Sequence, residues 1–213
     1  EDNRLFYRGQ PAPEGLTVES WEENKPRFER DCTKLLRPRS VAVIGASNRP
    51  GIGNAIIKSL LNMGYCGQIY AVNRKGEEVL GVPGYASVLD IPDIVDLGVI
   101  SVPAAGALAV AEECGQKGIP ALVCVTAGFR EIGGEGIQRE QELLEIVDKY
   151  NMCMIGPNCM GVANTAEDTR LSATIISNKP PVGHVAFLTQ SGALGASLID
   201  YADELDVGFS VVV

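Results

Sequence analysis

A short β-branched run, Ser40 to Ile44, opens into Gly45-Ala-Ser-Asn-Arg-Pro-Gly-Ile-Gly53. These residue types suit a phosphate group. Gly51 and Gly53 let the backbone approach an anion closely, Ser47 and Asn48 offer hydrogen bonds, and Arg49 supplies charge. The spacing departs from the dinucleotide fingerprint G-x-G-x-x-G, because only Gly45 lies at the strand end. After the second apolar run an NAD site would place an acid for the ribose hydroxyl, whereas Asn73-Arg-Lys75 follows Val72 here. Two basic residues there suit a ribose phosphate, which NADP and the 3′-phospho-ADP part of coenzyme A both carry. Plainer readings stand beside these: a tight βα connection for Gly45 to Gly53, and solvated surface for Arg74 and Lys75.

A second turn has anion-binding chemistry. Gln190-Ser-Gly192 falls between a run of strand character and a helical stretch, so its N–H groups and the helix dipole can hold a phosphoryl group. Ser191 is not read as an esterase nucleophile, since Thr189, Gln190 and Gly192 do not make the G-x-S-x-G elbow and no histidine follows. His184, the only histidine, precedes the turn and reads as structural or partly exposed. Cys159 has no histidine positioned in sequence to activate it. The six cysteines lack metal-ligand spacing, and several lie inside apolar runs like small buried hydrophobes. Reduced thiols and a cytoplasmic location are expected, with no metal.

The elements that position these residues alternate. Phe28, Cys32, Leu35 and Leu36 space one face of a short helix that begins near Pro26 and stops at Pro38. Strands are expected at 40–44, 68–72, 97–102, 121–126 and 152–155, with helices at 54–63, 105–117 and 136–150. Apolar runs covered on both faces, joined by right-handed crossovers, predict an α/β fold with a doubly wound, mostly parallel, Rossmann-like sheet. Residues 1 to about 25 are polar and broken by Gly and Pro, so 1–34 reads as an N-terminal extension with a short helix. The Rossmann-like domain is expected over 35–165. Asn178-Lys-Pro-Pro181 suggests a linker over 166–182, and 183–213 then starts a second domain with strand, helix and strand. One such unit cannot bury both faces of its sheet, which implies a piece of something larger.

Composition narrows the function classes. A net charge of −9 argues against a broad nucleic-acid surface, and no apolar run approaches a membrane span or an export signal. Any phosphate site must be local.

Further segments carry a resemblance. Arg37-Pro-Arg-Ser-Val-Ala-Val-Ile-Gly-Ala-Ser47, Ser101-Val-Pro-Ala104, Met154-Ile-Gly-Pro-Asn-Cys-Met-Gly161 and Leu188-Thr-Gln-Ser-Gly-Ala-Leu-Gly195 occur in this order. Over about Leu35 to Val213 the chain resembles NDP-forming acyl-CoA synthetases, the superfamily of ADP-forming acetyl-CoA synthetase and the succinyl-CoA synthetase α subunit. Ala193-Leu-Gly-Ala196, where the succinyl enzymes have a tyrosine, looks like the acetyl branch. The resemblance implies a coenzyme-A-binding domain followed by the start of a flavodoxin-like ligase domain. It implies coenzyme contacts at Gly45, Ser47, Asn48, Arg49, Pro50, Gly51, Asn73, Lys75, Val102, Pro103, Val125, Thr126, Ala127 and Asn158, with Asn158 near the thiol. It also implies phosphate at Gln190, Ser191 and Gly192, and a phosphorylated histidine past Val213. On residue type alone, Gly156, Pro157 and Gly161 equally make a rigid turn. The parent would join a small carboxylic acid to coenzyme A through an acyl phosphate. ATP, ADP and Mg would sit in an ATP-grasp domain or β subunit, and an oligomer is expected. The alternatives are a coenzyme-sensing module of a protein lysine acetyltransferase and an NADP-dependent oxidoreductase.

Overall fold

A computed structural model describes residues 29–202 and 204–213. The polar arm, Pro26 and Phe28 lie outside these residues. The chain is helical over 29–36 (α1) and then enters a six-stranded sheet of order β3-β2-β1-β4-β5-β6, with every pairing parallel. Its strands are β1 (Ser40–Ile44), β2 (Gln68–Val72), β3 (Gly84–Tyr85), β4 (Leu97–Ile100), β5 (Ala121–Cys124) and β6 (Cys153–Ile155). The helices between them are α2 (Ile52–Met63), α3 (Ala104–Lys117) and α4 (Glu135–Lys149).

Near-continuous apolar strands need cover on both faces, and each face has its own core. Leu35 of α1 and Ile56, Ile57 and Leu60 of α2 pack on Val41 and Val43. On the opposite face Ala107, Ala111 and Cys114 of α3 and Leu143 and Val147 of α4 pack against Ile44, Ile100 and Leu122. The doubly wound expectation is met. The two-residue edge strand β3 was not anticipated, being too short to carry a hydrophobic period.

Within the segment expected as a linker, residues 171–174 form a strand. β7 (Gly161–Asn164) and β8 (Leu171–Thr174), both strands buried along their length, form an antiparallel hairpin and join β10 (Phe209–Val212) and β9 (Val182–Phe187) in a sheet of order β8-β7-β10-β9. Helix α5 (Gly192–Tyr201) links β9 to its parallel neighbour β10. The four-residue run Leu171-Ser-Ala-Thr174 was too short to read as a strand by itself. Its burial comes from packing of Leu171 and Ala173 into the core that also holds Ile56, Ile57 and Leu60 of α2.

Candidate functional site

At the middle of the parallel sheet β1 has β2 on one side and β4 on the other, so the direction of winding reverses there, the place where open α/β sheets bind ligands beyond the carboxyl ends of their strands. Gly45 leaves β1 with φ 96°, and its amide donates to Val72 O at 2.9 Å. A Cβ at Gly45 would sit 2.9 Å from the Ser101 carbonyl oxygen, so the turn depends on glycine twice, for its dihedral and for its closeness to β4. Ser101 Oγ in turn donates to Ile44 O at 2.8 Å.

The Gly45–Gly53 loop is held from inside. Asn54, buried in α2, donates through Nδ2 to Ser47 O at 2.8 Å, and Ser47 Oγ donates to Arg49 O at 3.2 Å. The α2 N-terminus has an extended Gly51, no side-chain cap and no acid in its first turn, so its leading amides and its dipole face the loop uncompensated by a side chain. Arg49, Pro50 and Gly51 are exposed beside it.

Two of the three asparagines expected to touch ligand, Asn48 and Asn73, have side chains committed to the backbone. Asn48 Nδ2 donates to Glu78 O at 2.8 Å and its Oδ1 accepts from Leu80 N at 3.2 Å, which ties the 78–80 segment to the Gly45–Gly53 loop. Asn73 donates to Glu77 O and accepts from the amides of Lys75 and Glu77. They shape the rim. Lys75 is exposed at the end of β2, with Nζ 3.3 Å from Glu77 Oε1.

The next turns along the sheet edge are laced together. Thr126 Oγ1 donates to Val102 O at 2.7 Å, and the Asn158 amide donates to Thr126 O at 3.0 Å. The Val102–Pro103, Val125–Ala127 and Asn158 turns therefore form one ledge, as their places at the ends of β4, β5 and β6 require. Burial alone would raise the Glu131 carboxyl, but the amides of Gly128 and Phe129 donate to it and hold it below the usual carboxylate range. Those two amides are thereby occupied by the chain's own anion.

A cavity of about 190 Å³ opens where the two sheets meet, lined by Ile155 to Gly161, Thr189, Gln190, Gly192 and Val213. It joins the Asn158 turn to the Gln190-Ser-Gly192 turn. Ser191 does not line it; the side chain caps α5 by accepting from Leu194 N at 3.3 Å. Cys159 Sγ points toward Cys124 O at 3.4 Å, and burial pushes this thiol up to about 11. His184 is exposed on β9, ahead of the turn.

A family model described as a CoA binding domain matches residues 39–165. The chain belongs to that family. The CoA-binding domain thus spans the whole parallel sheet together with β7. The acetate–CoA ligase (ADP-forming) I of Archaeoglobus fulgidus is 45% identical over 84% of this chain and 26% of its own length. The α subunit of acetate–CoA ligase (ADP-forming) II of Pyrococcus furiosus is 45% identical over 83% of this chain and 38% of its own. The solved acetyl-coenzyme A synthetase 1 of Candidatus Korarchaeum cryptofilum, also known in complex with phosphate and ADP, superposes with a TM-score of 0.81 at 38% identity. It covers 86% of this chain, and the chain covers 39% of it. The chain spans about a quarter of the length of the first of these relatives. Among the described residues no helix is long and apolar enough to cross a membrane, and no cluster of three His, Cys, Asp or Glu could hold a metal ion.

Sequence reasoning missed Asn54 and Ser101, which hold the turns in place through the hydrogen bonds to Ser47 O and Ile44 O. An asparagine three residues into a helix gives no signal of its own.

Proposed function

We propose that this chain is the coenzyme-A-binding portion of an ADP-forming acyl-CoA ligase, holding the coenzyme along the carboxyl edge of the parallel sheet with its thiol at the junction cavity. The observation that carries the reading is that one cavity is lined both by Asn158, at the end of β6, and by Gln190 and Gly192, at the start of α5. A thiol delivered past Asn158 reaches the space where backbone amides and the dipole of α5 favour a phosphoryl group. Thiol and acyl phosphate must meet in such a space for a thioester to form and phosphate to leave.

In this reading the uncapped first turn of α2, with the Ser47–Gly51 loop and Arg49, receives the pyrophosphate. Lys75 meets the 3′-phosphate. Val102, Pro103, Val125, Thr126 and Ala127 form the ledge along which the pantetheine arm runs, while Asn48 and Asn73 keep the rim in shape. A small carboxylic acid, the phosphohistidine, and the ATP, ADP and Mg of an ATP-grasp domain or β subunit complete the reaction outside this chain. The Pyrococcus furiosus relative, named as an α subunit, supports a partner of that kind. Residues 183–213 would begin the ligase domain that provides the phosphate turn.

Calorimetric titration of the chain with coenzyme A, dephospho-coenzyme A and NADPH tests the reading. Coenzyme A should bind best, and Lys75→Ala should weaken it by about ten-fold, the worth of one charge-assisted contact, while leaving the dephospho form unaffected. NADPH binding more tightly than coenzyme A would overturn it.

A further inference from the structure

We propose that Met160 limits the length of the acyl group accepted at the junction cavity. The inference rests on the coenzyme reading above and adds the residue that sets acyl specificity.

Met160 follows the Asn158 turn, is only 7% exposed, and belongs to the core that also holds Ile199, Phe209 and Val212 of the second sheet. Its side chain reaches α5. A Cβ built on Gly195 would sit 2.8 Å from Met160 Cε and 2.9 Å from Sδ, so the thioether fills the room that glycine leaves in the helix. A Cβ on Gly192, in the first turn of α5, would lie 3.7 Å from Met160 Cβ. Met160 thus lines a cavity of only about 190 Å³, with its Cβ beside Gly192 and its Sδ and Cε behind the wall in the notch at Gly195.

An acyl group bound to the coenzyme sulfur at this junction has its carbonyl near the Gln190–Gly192 amides. The growing carbon chain then meets the cavity wall that Met160 Sδ and Cε back from the Gly195 side. Thioether side chains are flexible and apolar, so the limit is one of volume and not of charge. Replacement by alanine removes Cγ, Sδ and Cε and should let a longer chain in. Replacement by leucine, close in volume, should keep the limit.

Calorimetry of the wild-type chain, Met160→Ala and Met160→Leu against coenzyme A, acetyl-CoA and hexanoyl-CoA decides the matter. The wild type and Met160→Leu should bind hexanoyl-CoA at least about ten-fold more weakly than acetyl-CoA, in the range that one pocket wall contributes to size discrimination. Met160→Ala should narrow that gap to within about three-fold and leave coenzyme A itself within about two-fold, less than 0.5 kcal/mol. Should the alanine variant lose its fold by circular dichroism, Met160→Val makes the same comparison with a smaller change. A wild type without chain-length preference, or a preference that survives truncation of Met160, overturns the proposal alone. Failure of the wild type to bind coenzyme A at all overturns the coenzyme reading and this proposal together.

Discussion

Cys159 sits in the turn that lines the junction cavity, where a thiol invites a catalytic reading. Its burial raises the thiol to about 11, so the reactive thiolate is scarce at neutral pH. Cys159→Ala should leave the affinity for coenzyme A within about two-fold between about pH 6 and 9, because a protonated, buried thiol carries no charge to lose there. A large loss of affinity on this substitution, measured by calorimetry, would restore Cys159 as a ligand contact. Asp96 shows the opposite balance. Burial alone would raise its carboxyl, but Arg39 donates its amide at 2.9 Å and Nε at 3.1 Å, and the net result lies below the usual value. A depressed folded-state value stabilises above the unfolded pKa of about 3.9, and the contribution disappears as pH falls through the folded value. Asp96→Asn should therefore cost about 1 kcal/mol at neutral pH, the low end for charged hydrogen bonds because Arg39 is solvated, and should flatten the loss of stability below about pH 4. Urea unfolding at both pH values checks this, and an unchanged acid limb would clear Asp96. The sequence singled out the Gly45–Gly53 loop because glycine, serine and arginine at a strand exit suit a phosphate. The duties of Asn48 and Asn73 were not legible, since the same amide serves ligand or backbone according to what folds beside it.

Among the elements, the β1 exit and α2 act as one unit. A Cβ on Gly53 would fall 2.6 Å from Gly45 O and 2.8 Å from Ala46 Cα, whereas one on Gly51 meets nothing within 4 Å. Helix and turn can close on one another only at a residue without a side chain. Gly53→Ala should lower stability by about 1–3 kcal/mol through overpacking and weaken coenzyme A by about ten-fold or more as the Gly45–Gly53 loop shifts. Gly51→Ala, with an extended backbone at that position, should unfold in urea at the wild-type midpoint. Equal effects at the two positions would show that the close approach of Gly53 is not what holds the loop. Strong strands and helices were readable from their apolar periods. β3 and β8 were not, because two- and four-residue strands are decided by their neighbours and not by a period.

At the level of the whole molecule, α2 is shared between the two sheets. One side of it packs under β1, and Ser59 Oγ lies 2.7 Å from Ser172 Oγ of β8. The helix that begins at the Gly45–Gly53 loop is thus also the floor of the β7–β8 hairpin, which brings the second sheet and its Gln190 turn to the junction. The far edge of that sheet is different. β9 pairs only with β10 among the described residues, and Val182 and Val185 are 71% and 45% exposed. A parallel strand exposed on both faces is prone to pair with another chain. The isolated chain should self-associate as concentration rises in sedimentation velocity, and Val185→Lys should reduce this without changing coenzyme A affinity; a monomer at every concentration would contradict it. The sequence by itself determined the α/β class and the parallel character of the first sheet, since these follow from local periodicity, and it singled out two turns whose residue types suit an anion. Only the tertiary structure decided that residues 171–174 of the expected linker form a buried strand, that Asn48 and Asn73 are spent on backbone, and that Met160 packs against Gly195 of α5. Each depends on contacts between residues far apart in the chain, where packing and hydrogen-bond satisfaction override what any short segment prefers.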